Sequence, residues 1–178
     1  MKKTVMSRGR FSKIVREFFR TNRRDFSWRP PELRLRKNGA AAAPYRVFVS
    51  EVMLQQTQVA RVAEKYGAFL KTFPDFRALA KAPLAQVLRA WQGLGYNRRA
   101  LQLRGAAEEI IRTYGGELPR ECEKLQDLPG IGPATARSIC AFAFNTPEVF
   151  IETNIRSVYI HFFFPEAKKS LRAIGRQH

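Results

Sequence analysis

The sequence predicts an all-α protein, on three observations. Apolar residues recur at helical spacing along nearly the whole chain, no stretch alternates at period two, and the breaks fall at proline and glycine. The 178 residues are 45% hydrophobic and 12% aromatic, which is enough for a real core and too apolar for disorder.

The elements follow in order. Phe11, Ile14, Val15, Phe18 and Phe19 mark a first helix. Trp28-Arg29-Pro30-Pro31 breaks the chain, and Glu32 to Ala43, basic and then alanine-rich, reads as a surface loop. Pro44 opens a second helix carrying Val47, Phe48, Val52 and Leu54. A clearer amphipathic helix places Val59, Val62, Ala63, Tyr66, Phe69, Leu70 and Phe73 on one face. Pro74, Pro83 and the Gly93–Gly95 pair punctuate the next segments. Leu101 to Tyr114 is helical and stops at Gly115-Gly116; Pro133 to Phe144 is helical again. Asn154 to Phe164 forms the last helix, with Thr153 or Asn154 as its cap and Pro165 as its stop. The expected organisation is an N-terminal helix and basic loop over 1–43, a helical core over 44–165, and a basic tail over 166–178.

Lysine and arginine number 32 against 15 acids, a net charge of +17. A bias this large favours a polyanionic partner, and nucleic acid is the natural one. The cations are dense at Lys2-Lys3, Arg23-Arg24, Arg34-Arg36-Lys37, Arg98-Arg99 and Lys168-Lys169, so they form a basic surface rather than a detachable tail. Cys122 and Cys140 are the only cysteines. Two cannot make a zinc site or an iron–sulfur cluster by themselves, and nothing suggests a disulfide framework, so a reducing cytoplasm is expected. No apolar run reaches transmembrane length, and no signal-type apolar segment follows the basic N-terminus.

Leu128-Pro129-Gly130-Ile131-Gly132-Pro133-Ala134-Thr135-Ala136 reads as helix, tight glycine turn, helix. Gly130 and Gly132 permit backbone angles that residues with a Cβ avoid, and Pro133 suits the first position of the following helix. Such a turn is either an ordinary interhelical connection or a phosphate site, because open backbone N–H groups at a helix N-terminus attract anions.

Three further segments carry candidate chemistry. Glu51 lies among apolar residues on the second helix; a carboxyl group there is paired, solvated or protonated, and when protonated it can serve as a general acid. Gln55, Gln56 and Thr57 follow it, either as a plain helix end or as donors and acceptors for base edges. Gln92-Gly93-Leu94-Gly95-Tyr96-Asn97-Arg98-Arg99 joins an apolar tip, an aromatic ring and two cations. It is either a loop with a core leucine and tyrosine or a wedge between base steps with arginine on the backbone. Glu152 precedes the last helix, and two separate acids near a bound nucleotide suit cleavage of a glycosidic bond: one protonates the leaving group and the other steadies the oxocarbenium-like sugar.

These segments together resemble the helix-hairpin-helix DNA glycosylase superfamily, and within it the adenine-specific, MutY-like branch. The resemblance rests on PYRVFVSEVMLQQTQV, Phe73-Pro74, LAKAPLAQVLRAWQGLGY, LPGIGPATA and the start of the Asn154-to-Val158 helix, and it spans roughly Phe26 to Phe164. It implies two helical lobes with a flipped base held at their cleft in double-stranded DNA that carries a mismatched or damaged base. Glu51 falls on the acid that protonates adenine, with Glu152 as the second carboxylate. Gln56, Thr57, Leu94 and Tyr96 fall on positions that probe or wedge the duplex, with Arg98 beside them. Leu128, Gly130, Ile131, Gly132 and Thr135 fall on the phosphate-binding hairpin. The expected activity is release of adenine opposite guanine or 8-oxoguanine by a monomeric, cytoplasmic, nucleoid-associated enzyme without membrane association. A thymine/uracil mismatch glycosylase and a DNA-binding remnant without catalysis are the alternatives.

The departures are as specific as the match. Strand-cleaving relatives carry a lysine nucleophile where this chain has Ala134, so no lyase activity is expected; adenine-specific members usually have Ser or Tyr there. The usual aspartate before the last helix is Glu152, followed by Thr153 rather than the frequent glycine. The family's further helices and four-cysteine iron–sulfur loop have no counterpart in the ending EAKKSLRAIGRQH. No cofactor is therefore expected, and the second lobe of a truncated or frame-shifted chain is expected to be incomplete.

Overall fold

The computed structural model describes residues 6–23, 26, 28 and 42–164. All regular structure among them is helical. The chain divides into two compact units, one of residues 1–24 with 151–178 and one of residues 25–150.

The larger unit holds the core and is built on two central helices. α2 (Ala42–Leu54) is apolar almost all round, so it is buried on most sides: Tyr45, Val47, Phe48, Val49, Val52 and Met53 all lie inside. α6 (Arg98–Tyr114) presents a narrow stripe of Ala100, Leu103, Ala106, Ala107 and Ile110, whose small side chains let neighbours approach closely. It stops where Gly115 takes the left-handed conformation. α3 (Val59–Thr72) packs on α2 through Val62, Tyr66 and Phe69, while Val59 stays exposed. α4 (Phe76–Lys81) starts where the Asp75 carboxylate accepts from the Ala78 N–H at 2.7 Å, and it packs on α6. α5 (Leu84–Trp91) buries Val87 and Trp91. α7 (Cys122–Gln126) and α8 (Pro133–Phe144) flank the glycine turn, and α8 packs along α2. Phe26 and Trp28 belong to this unit; Trp28 is buried edge-on to Tyr66.

The smaller unit contains α1 (Arg8–Asn22) and α9 (Thr153–Phe163). Phe11 holds them together with its ring centroid 5.0–5.6 Å from those of Tyr159, Phe162 and Phe163. Ile14, Val15, Phe18 and Phe19 are exposed. The last helix thus groups with the first, where the sequence placed it in the core over 44–165. Its N-cap position is Glu152, which makes no capping bond, so neither Thr153 nor Asn154 caps it.

The turn brings α7 back along α8 and sets Cys122 and Cys140 side by side, with Cα atoms 6.2 Å apart. Eighteen residues separate them in sequence, and only the hairpin makes them neighbours. The basic stretch up to residue 41 and the tail 166–178 lie outside the described residues.

Candidate functional site

Glu51 sits one turn before the end of α2, only 8% exposed. Its Oε2 accepts a hydrogen bond at 2.9 Å from the hydroxyl of Ser138, itself buried on α8. The same hydroxyl lies 2.9 Å from Thr135 O, one turn back in its own helix. Ser138 can therefore donate to an ionised Glu51, or turn to Thr135 O and accept from a protonated one. Sequence reasoning missed Ser138; its spacing of three residues from Thr135 puts both on one helical face, which is the only signal it left.

α2 ends in a strained turn. Gln56 adopts φ +54°, a left-handed backbone that glutamine rarely takes, and its side chain is exposed. Gln55 turns the other way: its Nε2 donates to Gly130 O and to Thr135 Oγ1, both at 3.1 Å. The acid-bearing helix is thereby pinned to the glycine turn.

That turn has the geometry of an anion site. The Ile131 N–H closes it on Leu128 O at 3.1 Å, and the Leu128 and Ile131 side chains are buried anchors. The first N–H of α8 to be taken up within the helix is that of Ala136, on Gly132 O, and no side chain caps the helix. The N–H groups of Ala134 and Thr135 precede it without a backbone partner among the described residues, the position at which helix N-termini attract anions. Gly130 has φ +79°, and a Cβ there would lie 2.8 Å from the Gln102 Cβ. Gly132 differs from expectation: its backbone is extended at φ −86°, and a Cβ there meets nothing within 4 Å. Only Gly130 needs to be glycine.

The Gly93–Gly95 loop divides its side chains. Leu94 is 2% exposed and packs in the core, so its side chain is not presented as a wedge. Tyr96, at φ +49°, is 66% exposed. Arg98 is exposed, and Arg99 is buried at 6%. The sequence marked Arg98 for DNA, and it is the cation of the pair that stays on the surface; the helix turn after Tyr96 aims Arg99 inward.

Arg99 is the hinge-pin of the site. Its Nη1 donates to Val52 O, Met53 O and Gln55 O, and its Nη2 donates to Thr57 Oγ1, Leu94 O and Gly95 O. It therefore caps the C-terminus of α2, where carbonyls carry partial negative charge, and ties that end to the glycine loop. The guanidinium lies 5.4 Å from the Trp91 ring centroid and 5.6 Å from that of Tyr96. Burial pulls its pKa below the ordinary arginine value, and Tyr96 opposes that shift. Thr57 reinforces the join by donating to Leu94 O at 3.2 Å.

Glu51, Gln56, Thr57, Tyr96 and the hairpin thus belong to one continuous region of the larger unit. Glu152 heads α9 in the smaller unit, exposed. No group of three or more His, Cys, Asp or Glu among the described residues is arranged to hold a metal. No helix among the described residues is long and apolar enough to cross a membrane.

Residues 49–177 fit the model of the HhH-GPD superfamily of base excision DNA repair proteins. The chain belongs to that superfamily. It is 42% identical over 136 residues to an adenine DNA glycosylase of Mycolicibacterium smegmatis, covering 76% of this chain and 43% of the relative. It is 35% identical over 161 residues to an adenine DNA glycosylase of Mycobacterium tuberculosis, covering 90% of this chain and 50% of the relative. It therefore spans about half the length of these relatives. Among solved structures, a thermostable thymine-DNA glycosylase matches with TM-score 0.73 and 29% identity, over 84% of this chain and 64% of that one. A non-covalent endonuclease III–DNA complex matches in fold, with TM-score 0.69 and 19% identity, over 86% of this chain and 68% of that one.

Proposed function

We propose that this HhH-GPD chain carries the glycosylase chemistry of base excision repair and releases adenine mispaired with guanine or 8-oxoguanine in duplex DNA. The observation that carries the reading is the Glu51 carboxyl, buried and hydrogen-bonded to Ser138 on the helix that follows the open glycine turn. Its likeness to named adenine DNA glycosylases supports the choice of base.

In this mechanism a phosphate of the adenine-bearing strand rests on the N–H groups of Ala134 and Thr135. The flipped adenine meets protonated Glu51, which gives its proton to a ring nitrogen. The C1′–N9 bond breaks, its electron pair leaves with the base, and an oxocarbenium-like sugar remains. Water adds at C1′ and its proton passes to the Glu51 carboxylate, which restores the acid. Ser138 turns its hydroxyl between Thr135 O and Glu51 as the carboxyl changes state. Gln56 and Tyr96 meet the bases around the lesion, and Thr57 acts through the loop it holds.

Ala134 offers no amine, so the product is an unbroken strand with an abasic site. The test is a mismatch panel with adenine, thymine or uracil opposite guanine, and adenine opposite 8-oxoguanine. Adenine release without strand scission is expected. Release of thymine or uracil instead would transfer the chain to the other substrate class. A borohydride-trapped covalent adduct mapped to a lysine would contradict the hydrolytic route.

A further inference from the structure

Beside the glycine loop, on the side of α3 and α5, lies an open cleft of about 590 Å³ lined by Arg61, Leu88, Arg89, Gln92, Gly93, Gly95 and Asn97. Arg61 comes from α3 and Arg89 from α5, both are exposed, and neither has a carboxylate among the lining residues to neutralise it. Neither forms an ion pair or side-chain hydrogen bond among the described residues. Lys65, one turn after Arg61, reaches the same rim: its Cε lies 3.4 Å from where a Cβ on Gly93 would stand. Two polar side chains complete the lining, and that of Asn97, at the head of α6, makes no capping bond.

Uncompensated cations from separate helices, converging on an open cleft, repel one another unless an anion sits between them. Guanidinium forks match phosphate oxygens in pairs, and the amide groups of Gln92 and Asn97 add neutral donors. The cleft is too open to enclose a small molecule, which suits a continuous polyanion. We propose that this cleft is a second phosphate track, distinct from the glycine turn, which grips the DNA backbone next to the duplex segment that Tyr96 meets. The inference rests on the DNA reading above and adds a site to it.

Salt dependence of duplex binding tests it. Each phosphate neutralised contributes about 0.9 to the slope of log affinity against log salt. The Arg61→Ala/Arg89→Ala variant removes two exposed side chains, so it keeps the fold, and its slope should shrink by about 1.8. The rate of base release at saturating DNA should stay at the wild-type value. A control variant, Lys71→Ala/Arg77→Ala, removes the same charge away from the cleft, since Lys71 lies at the opposite end of α3, and its slope should be unchanged. Inorganic phosphate at millimolar concentration should not protect the cleft arginines from a guanidine-modifying reagent, whereas duplex DNA should. A steep slope in both wild type and the cleft variant overturns the track alone, as does an equal loss in the control. A flat slope in the wild type overturns the DNA reading itself.

Discussion

Arg98 and Arg99 are adjacent and chemically identical, yet one is on the surface and the other is buried under six hydrogen-bond acceptors. Arg99→Lys should be severe despite keeping the charge. An ammonium has three donors and no planar fork, so several buried carbonyls would lose their partner, each costing about 1–3 kcal/mol. Chemical denaturation should show a loss of at least about 2 kcal/mol, against about 0.5 kcal/mol or less for Arg98→Lys. Equal, small losses would mean that Arg99 does not hold the site. The sequence could not separate the two, because neighbours on a helix point about 100° apart and only the packing of α6 decides which faces in. Leu94 was ambiguous for the same reason: a leucine between glycines fits a wedge or a core, and with Thr57, Trp91 and Arg99 holding the loop by its Leu94 and Gly95 carbonyls, the leucine side chain is buried.

At the scale of elements, the glycine turn was legible, since its residues specify a turn and a helix start through local chemistry alone. The helix Pro133–Phe144 begins and ends where expected. The need for a second glycine was not legible, because it depends on which φ the turn uses. Gly130→Ala should lower the melting temperature and weaken DNA binding together, because the new Cβ meets the Gln102 Cβ at 2.8 Å in a left-handed backbone. Gly132→Ala should leave the melting temperature nearly unchanged. Thermal denaturation of the two variants decides between one required glycine and two. The pairing of α1 with α9 also escaped the sequence, since it joins opposite ends of the chain through Phe11. Helices α2 and α3 are tied by two buried tyrosines: Tyr45 Oη donates to Phe73 O at 2.6 Å, and Tyr66 Oη to Arg46 O at 3.0 Å. Burial raises both pKa values, with Asp75 and then Tyr66 adding to the shift of Tyr45 and Arg46 opposing that of Tyr66. The fold therefore favours the neutral phenols. That contribution is fully present below about pH 10 and is lost as the unfolded tyrosines ionise above it. Denaturation midpoints should decline through that range and decline less in Tyr45→Phe. A midpoint that is flat to pH 11 would contradict the assignment.

For the whole molecule, the net charge of +17 and the open amides of α8 point to the same polyanion. The run from Ser50 to Gln58 with the glycine turn made the family legible. The arrangement that makes chemistry possible was not, because it depends on Ser138, Gln55 and Arg99 meeting across 44 to 87 residues of sequence. The central claim is that Glu51 is the acid that releases the base. The most direct measurement is single-turnover adenine release from an adenine·8-oxoguanine duplex by wild type and Glu51→Gln, with duplex affinity measured in parallel. The amide keeps the size and a hydrogen bond with Ser138 but has no proton to give to the base. Base release in the variant should fall by at least about a hundredfold, the lower range for loss of a general acid, while affinity stays within a few-fold of wild type. Wild-type rates in Glu51→Gln would contradict the account.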